Sequence, residues 1–239
     1  MMIASWNLNH RTIEKPIPAE ALKFFEAFAP DLIALNEFVD GKTRSAFRAD
    51  LEGMGYKHQL ISEKIGKQNQ VFIASKAPIR QGDLIPPQQD DAAITNFLHV
   101  KVDNTDIEIV GLRAPAYKAF QERQSYWVEL AAIMRSAANR RIVFIGDINY
   151  DPFPGVAASA SEIRFDIAGS YSIPNPKGTW SFISLDGKAR TRIDHAFVAD
   201  GVSVVNTEYL ATYQDIKLAG GKGAGAVTDH AVLALNLAT

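Results

Sequence analysis

The sequence contains no cysteine. That excludes disulfide staples, thiolate zinc centres and a cysteine nucleophile, while saying little about compartment. No apolar run approaches the ~20 residues that cross a bilayer. The opening MMIASWNLNH lacks the basic segment and long apolar stretch of a secretion signal. The expectation is a soluble, cytoplasmic protein with no transmembrane segment. A surplus of positive charge is also missing. Lys and Arg number 25 against 27 Asp and Glu, for a net charge of −2. Overall charge therefore does not favour tight nonspecific nucleic-acid binding, and only a local basic patch can supply it. The signatures GxxxxGK[ST], GxGxxG, HExxH and GxSxG are absent. So are internal repeats and long polar linkers. With 239 residues, 47% of them hydrophobic, the chain reads as one domain over 1–239.

What is present is a series of strand-like runs with a few helical ones between them. Ile3 to Leu8, Leu32 to Leu35, Tyr56 to Ile61, Gln70 to Ser75, Arg141 to Ile145, Thr179 to Ile183, Ile193 to Val198, Val202 to Tyr209 and Ala231 to Leu237 read as strands. Phe97 to Val102 and Ile107 to Leu112, joined by Asp103-Asn104-Thr105-Asp106, read as a hairpin. Helical spacing of apolar residues marks Ala19 to Phe28, Lys42 to Met54 and Lys118 to Ala138. Ala77 to Asp91 reads as loop with one short edge strand, Pro152 to Ser170 as mixed with one helix, and the Gly/Ala-rich Ala219 to Ala226 as a mobile loop. The pattern predicts an α+β layered domain, two mainly antiparallel sheets packed face to face with helices outside.

Polar residues stand at the ends of several apolar runs. Asp147 and Asn149 follow Ile142-Val143-Phe144-Ile145 and Gly146. In an extended chain they share a side, where a carboxylate and a carboxamide can position a water and a phosphoryl oxygen. An Asx turn capping the strand is the alternative. Glu37 after Leu32-Ile33-Ala34-Leu35 is either a ligand for Mg²⁺, which takes oxygen donors, or a solvated strand end. Asp229-His230 offers a metal ligand and a phosphate donor that Asp194 can orient, or an ordinary satisfied histidine. Asn7 and Asn9 share a face by the same two-residue spacing. Arg113 ends a strand where its planar fork can grip phosphate. His195 should face away from Asp194 by strand alternation. His10, His58 and His99 read as surface or core histidines. Arg11, Lys118, Lys188, Arg190 and Arg192 form with Arg113 either a basic rim or solvated strand edges.

In their order and spacing these segments resemble the endonuclease/exonuclease/phosphatase superfamily, with its deoxyribonuclease I-like fold. SWNLN is similar to the family's first strand, LIALNEF to its LxxQE segment with Asn36 in place of Gln, FIGDINYDP to its GDFN, RIDHAFV to its RIDyifv and TDHAVL to its SDH segment. The resemblance implies a four-layer α/β/β/α sandwich and a hydrolase using Mg²⁺ or Mn²⁺. It implies a metal site of Glu37, Asp229 and Asn7. It further implies that Asp147 activates a water, that Asn149 helps hold it, and that His230 with Asp194 stabilises phosphoryl oxygens. Arg113 stands where many relatives carry a histidine, with Tyr117 a second candidate. Asn9 stands where repair endonucleases carry Asp. Arg113, Tyr117, Asn9 and Arg192 are the substrate-contact candidates. The implied activity is a phosphodiesterase or nuclease acting on nucleic acid. A phosphatase or phosphodiesterase on a small phosphorylated metabolite or lipid headgroup, and a non-catalytic binding domain of the same fold, are the alternatives.

Overall fold

The computed structural model describes residues 1–9, 15–153 and 170–238. His10, Arg11 and nearly all of the segment Pro152 to Ser170 lie outside or at the edge of that range. In chain order the elements are β1 (Met2–Asn7), α1 (Ala19–Phe28), β2 (Leu32–Phe38), α2 (Lys42–Gly53), β3 (His58–Ile61), β4 (Gln70–Ser75), β5 (Ile79–Gln81) and α3 (Asp91–Thr95). Then come β6 (Phe97–Val102), β7 (Glu108–Arg113), α4 (Phe120–Ser136), β8 (Ile142–Asp147), β9 (Tyr171–Ser172), β10 (Phe182–Ile183) and β11 (Arg190–Thr191). The last are β12 (Asp194–Ala199), β13 (Val204–Leu210), β14 (Thr212–Tyr213), β15 (Ile216–Lys217) and β16 (Val232–Leu237).

Two six-stranded sheets form, in the orders β13-β16-β1-β2-β4-β3 and β5-β6-β7-β8-β12-β9. Each contains one parallel pair, β1 with β2 and β7 with β8, and the remaining pairs are antiparallel. Strand alternation sends successive side chains to opposite faces. In β2, Leu32 and Ala34 enter the core between the sheets, while Ile33 and Leu35 pack outward with Phe24, Phe25, Phe47 and Leu51 of α1 and α2. In β8, Val143 and Ile145 point between the sheets, while Ile142 and Phe144 pack under Trp127, Leu130 and Met134 of α4. Three apolar layers therefore bind four structural layers, the α/β/β/α sandwich expected from the sequence.

Three local outcomes differ from the sequence reading. β2 runs on to Phe38 because a bulge between Leu35 and Phe38 absorbs Asn36 and Glu37 without ending the strand. α3 is a single short helix, begun by the Asp90 carboxylate accepting the Ala93 N–H at 2.8 Å. The Gly/Ala segment is tied down: Gly220 N–H donates to Thr228 O, Lys222 N–H to Leu185 O and Val227 N–H to Lys217 O.

Gly111 faces the inter-sheet core, and a β-carbon there would lie 2.7 Å from Val71 Cγ1 and 3.3 Å from Ile73 Cδ1. The sheets approach closely because this side chain is missing. Gly111→Val is expected to destabilise the fold by about 1–3 kcal/mol through overpacking. A lower urea midpoint with an unchanged slope checks this, and an unaltered midpoint refutes it.

Candidate active site

At one end of the sandwich the strand ends of both sheets face each other. Asn7 on β1 is the register partner of Asn36 on β2, and Asp147 on β8 is flanked by Arg113 on β7 and Asp194 on β12. Polar side chains bridge the gap. The Asn36 amide nitrogen donates to Leu112 O at 2.9 Å, and its carbonyl oxygen accepts from Asp147 N–H at 3.3 Å. Asn36 is 1% exposed, so neither partner can turn to water instead. Gly146 makes the approach possible. It sits at φ 150°, and a β-carbon would fall 1.9 Å from Leu112 O and 2.9 Å from the Asn36 carbonyl oxygen.

Asp147 is buried among donors. Its carboxylate accepts from Asn7 Nδ2 at 2.9 Å and from the Asn149 N–H at 2.9 Å, and Arg113 Nε lies 3.7 Å away. Burial, and then the neighbouring Asp194 charge, raise its pKa to about 6, against the pull of His230, Arg113 and the Asn149 N–H. Asn149 does not continue an extended strand. It sits at φ 51°, in an Asx turn closed by that N–H bond, and its amide nitrogen donates to Ala114 O at 2.6 Å. Asn9 repeats the device at φ 46°, with its N–H on Asn7 Oδ1 at 2.8 Å and its side chain on Asp229 Oδ2 at 2.9 Å. Both asparagines reach the site, but through turns and not through the two-residue strand spacing. The Asx turn and the site are thus the same structure.

Glu37 sits at φ 55° on the β2 bulge, a geometry that re-aims its side chain across to the other sheet. There Arg113 Nη2 meets Glu37 Oε1 at 2.9 Å. Arg113 is 8% exposed and spans Glu37 and Asp147, so it belongs to the floor of the site and not to a rim. His230 donates from Nδ1 to Asp194 Oδ2 at 2.9 Å, and its Nε2 lies 4.0 Å from Asp229 Oδ1. Burial opposes its charge. The Asp194 charge and hydrogen bond outweigh burial, with help from Asp147 and Asp229, and raise its pKa to about 9. His195 faces the other way, its Nε2 2.9 Å from Arg192 O.

The donor set suits a divalent cation. Glu37, Asp229 and the Asn7 carbonyl are hard oxygen donors, and Mg²⁺ takes one or two protein carboxylates. Four carboxylates (Glu37, Asp147, Asp194, Asp229) face two side-chain cations (Arg113 and protonated His230), which leaves a charge of −2 when all four are ionised. Among the described residues, Asp83, His99 and Glu108 form a second acidic cluster. It lies at the start of β7, about 17 Å of strand away from Arg113. Arg140 reaches Asp83 at 2.8 Å and Glu108 at 3.2 Å, and Lys101 reaches Asp83 at 2.9 Å. Both His99 ring nitrogens are engaged, by the Leu84 N–H and by Glu108. That cluster is an ion-pair network already holding its cations.

Two sequence candidates stand aside from this web. Arg192 is paired with Asp151 at 3.1 Å, with its guanidinium 4.7 Å from the centre of the Phe153 ring. Tyr117 lines a cleft of about 170 Å³ that includes Asn149 and Trp127, and burial raises its phenol pKa. Lys118 and Lys188 are exposed. Asn36 is the residue whose part the sequence reading missed. A carboxamide directly after four buried apolar residues was the available signal.

A family model described as the Endonuclease/Exonuclease/phosphatase family matches residues 4–230. No curated protein matches the chain. Among solved structures, an AP endonuclease from Archaeoglobus fulgidus superposes with a TM-score of 0.74 at 15% identity, covering 100% of both chains. A 3'-5' exonuclease (NExo) from Neisseria meningitidis gives 0.70 at 16%, again with 100% of both chains covered. Truncated TDP2 from Caenorhabditis elegans gives 0.71 at 14%, covering 100% of this chain and 97% of that one.

Two outcomes follow from this geometry. Asn36→Leu strands the Asp147 N–H in a buried place and is expected to cost roughly 1–3 kcal/mol, read as a lower denaturation midpoint. For His230, the folded pKa of about 9 exceeds the reference 6.5. Its contribution to stability is therefore complete below pH 6.5 and is lost as pH rises toward about 9. In chelator, the urea midpoint should fall across that window, and His230→Gln should flatten the fall. A wild-type midpoint constant between those values would contradict the assignment.

Proposed function

The chain belongs to the endonuclease/exonuclease/phosphatase family, and from that premise we propose that it is a divalent-metal-dependent phosphoester hydrolase acting as a phosphodiesterase on nucleic acid. The observation that carries the reading is the pairing of Asp147 and His230 in one buried site. Near neutral pH Asp147, with its pKa raised to about 6, is an ionised base close to its useful range, while His230, raised to about 9, is an imidazolium. Two groups whose environments set opposite protonation states are what acid–base chemistry requires.

In this reading Asp147 holds the attacking water and takes its proton at a carboxylate oxygen. Asn7 and the Asn149 N–H fix the direction of that carboxylate. His230, held by Asp194, presents Nε2–H to the phosphoryl oxygens, where negative charge develops. Arg113, which lies between Glu37 and Asp147, would donate to the same phosphate. Glu37, Asp229 and Asn7 would hold the metal, Mg²⁺ or Mn²⁺. When bound, that ion supplies Lewis-acid stabilisation of the phosphate. Asn9, Arg192 and Tyr117 flank this centre as contacts to the rest of the substrate. The nuclease names of the structural neighbours support nucleic acid over a small phosphoester or a lipid headgroup.

Asp147→Asn should lower kcat on oligonucleotides by roughly 10²–10⁴-fold, the usual worth of a positioned general base, and chelator should abolish turnover in the wild type. A panel of DNA, RNA, nucleoside phosphates and inositol phosphates, assayed with each metal, checks the reading. Turnover restricted to the small phosphates would replace the substrate class. No turnover of any of them would leave the fold as a binding domain.

A further inference from the structure

Beside the catalytic end lies a groove of about 480 Å³, bounded by the turn after β10 and by the Gly/Ala segment, with Trp180, Ile183, Arg190, Lys217 and Lys222 along it. We propose that this groove is a nucleic-acid subsite that holds the single-stranded stretch of substrate adjoining the scissile phosphate. Lys217 and Lys222 would hold its phosphates, and the Trp180–Arg190 pair would stack one base. The proposal rests on the nuclease reading above and names where that substrate lies.

Position comes first. Ile183 lines the groove, while its neighbour Phe182 lies against the His230 ring with centroids 5.0 Å apart. The Ile183 N–H donates to Asp229 O at 3.0 Å. The groove and the catalytic end thus lie on either side of one strand, β10, which makes them neighbours on the surface.

Charge comes second. On a chain of net charge −2, three cations line this groove against the single carboxylate of Asp186. That carboxylate is occupied by the Ser184 hydroxyl at 2.5 Å and the Lys188 N–H at 3.1 Å. No described carboxylate lies within 4.0 Å of the Arg190, Lys217 or Lys222 nitrogens.

Shape comes third. The Arg190 guanidinium sits 5.2 Å from the ring centre of Trp180, which packs on the inter-sheet core, so the exposed guanidinium presents a cationic surface over an aromatic one, the combination on which bases stack. The walls are pre-formed. A β-carbon on Gly221 would lie 3.1 Å from the Gly187 backbone, and one on Gly220 would lie 2.9 Å from Ala224 Cβ. Glycine at 221 lets the two walls approach each other, and glycine at 220 lets the Gly/Ala wall fold tightly on itself.

The test uses the full chain. Binding of a labelled single-stranded DNA dodecamer, and of the RNA equivalent, to Asp147→Asn is followed by anisotropy across a salt series. Adding Lys217→Glu and Lys222→Glu should weaken binding at least tenfold and flatten log K against log salt by about 0.7 for each phosphate no longer neutralised. In the wild-type background the same pair should raise KM for the oligonucleotide with kcat little changed. Its kcat/KM should fall at least tenfold relative to that for bis(p-nitrophenyl) phosphate. Trp180→Phe should retain more affinity than Trp180→Ala. Unchanged affinity and KM in the lysine pair overturns the groove, as does failure of Asp147→Asn to bind either oligonucleotide. Binding that the lysine pair weakens, without any cleavage by the wild type, overturns the hydrolase reading and supports the groove.

Discussion

Everything at the candidate active site depends on holding two sheets together where their apolar side chains run out. The inter-sheet core is closed by Leu32, Ala34, Val143 and Ile145, and beyond these the facing positions are polar. Asn36 closes the gap with one side chain that satisfies a carbonyl of β7 and an N–H of β8 at once. The alternative, unpaired backbone groups at a dry interface, is among the more expensive defects a fold can carry. Three further contacts cross the same gap: Asn7 to Asp147, Glu37 to Arg113, and His230 to Asp194. The hydrogen bonds that align the sheets are also those that aim the carboxylates and the imidazole of the site, so small displacements of one sheet against the other would change its geometry.

The charges follow from that arrangement. Gathering Glu37, Asp147, Asp194 and Asp229 at a buried seam raises the proton affinity of Asp147 and holds a proton on His230. Arg113 offsets part of the excess from within the seam. A histidine in its place would be shorter and titratable. An arginine is charged at every working pH and reaches both sheets.

Much of this was legible in the sequence. The apolar runs within Ile3 to Leu8, Leu32 to Leu35 and Arg141 to Ile145 marked the strands, because buried strands leave a strong apolar signal. Asp147, Asp194, Asp229 and His230 stood out as polar residues at strand ends, and the structure gathers them. What was not legible depends on backbone conformations that leave no such periodicity. The bulge that turns Glu37, and the turns that hold Asn9 and Asn149 at positive φ, are invisible to a two-residue repeat. The Gly/Ala segment misled for a related reason. Its composition signals freedom, but glycine there serves close packing against the turn at Gly187.

One consequence concerns the order of folding. β1 lies between β2 and β16, with Ile3 opposite both Leu32 and Leu235. Trp6 Nε1–H donates to the His230 carbonyl across a separation of 224 residues. Contacts of that span close late, because the loop entropy must be overcome before they form. The site draws on Asn7 and His230 together, so a chain that has made only its local contacts has strands and helices but no assembled site.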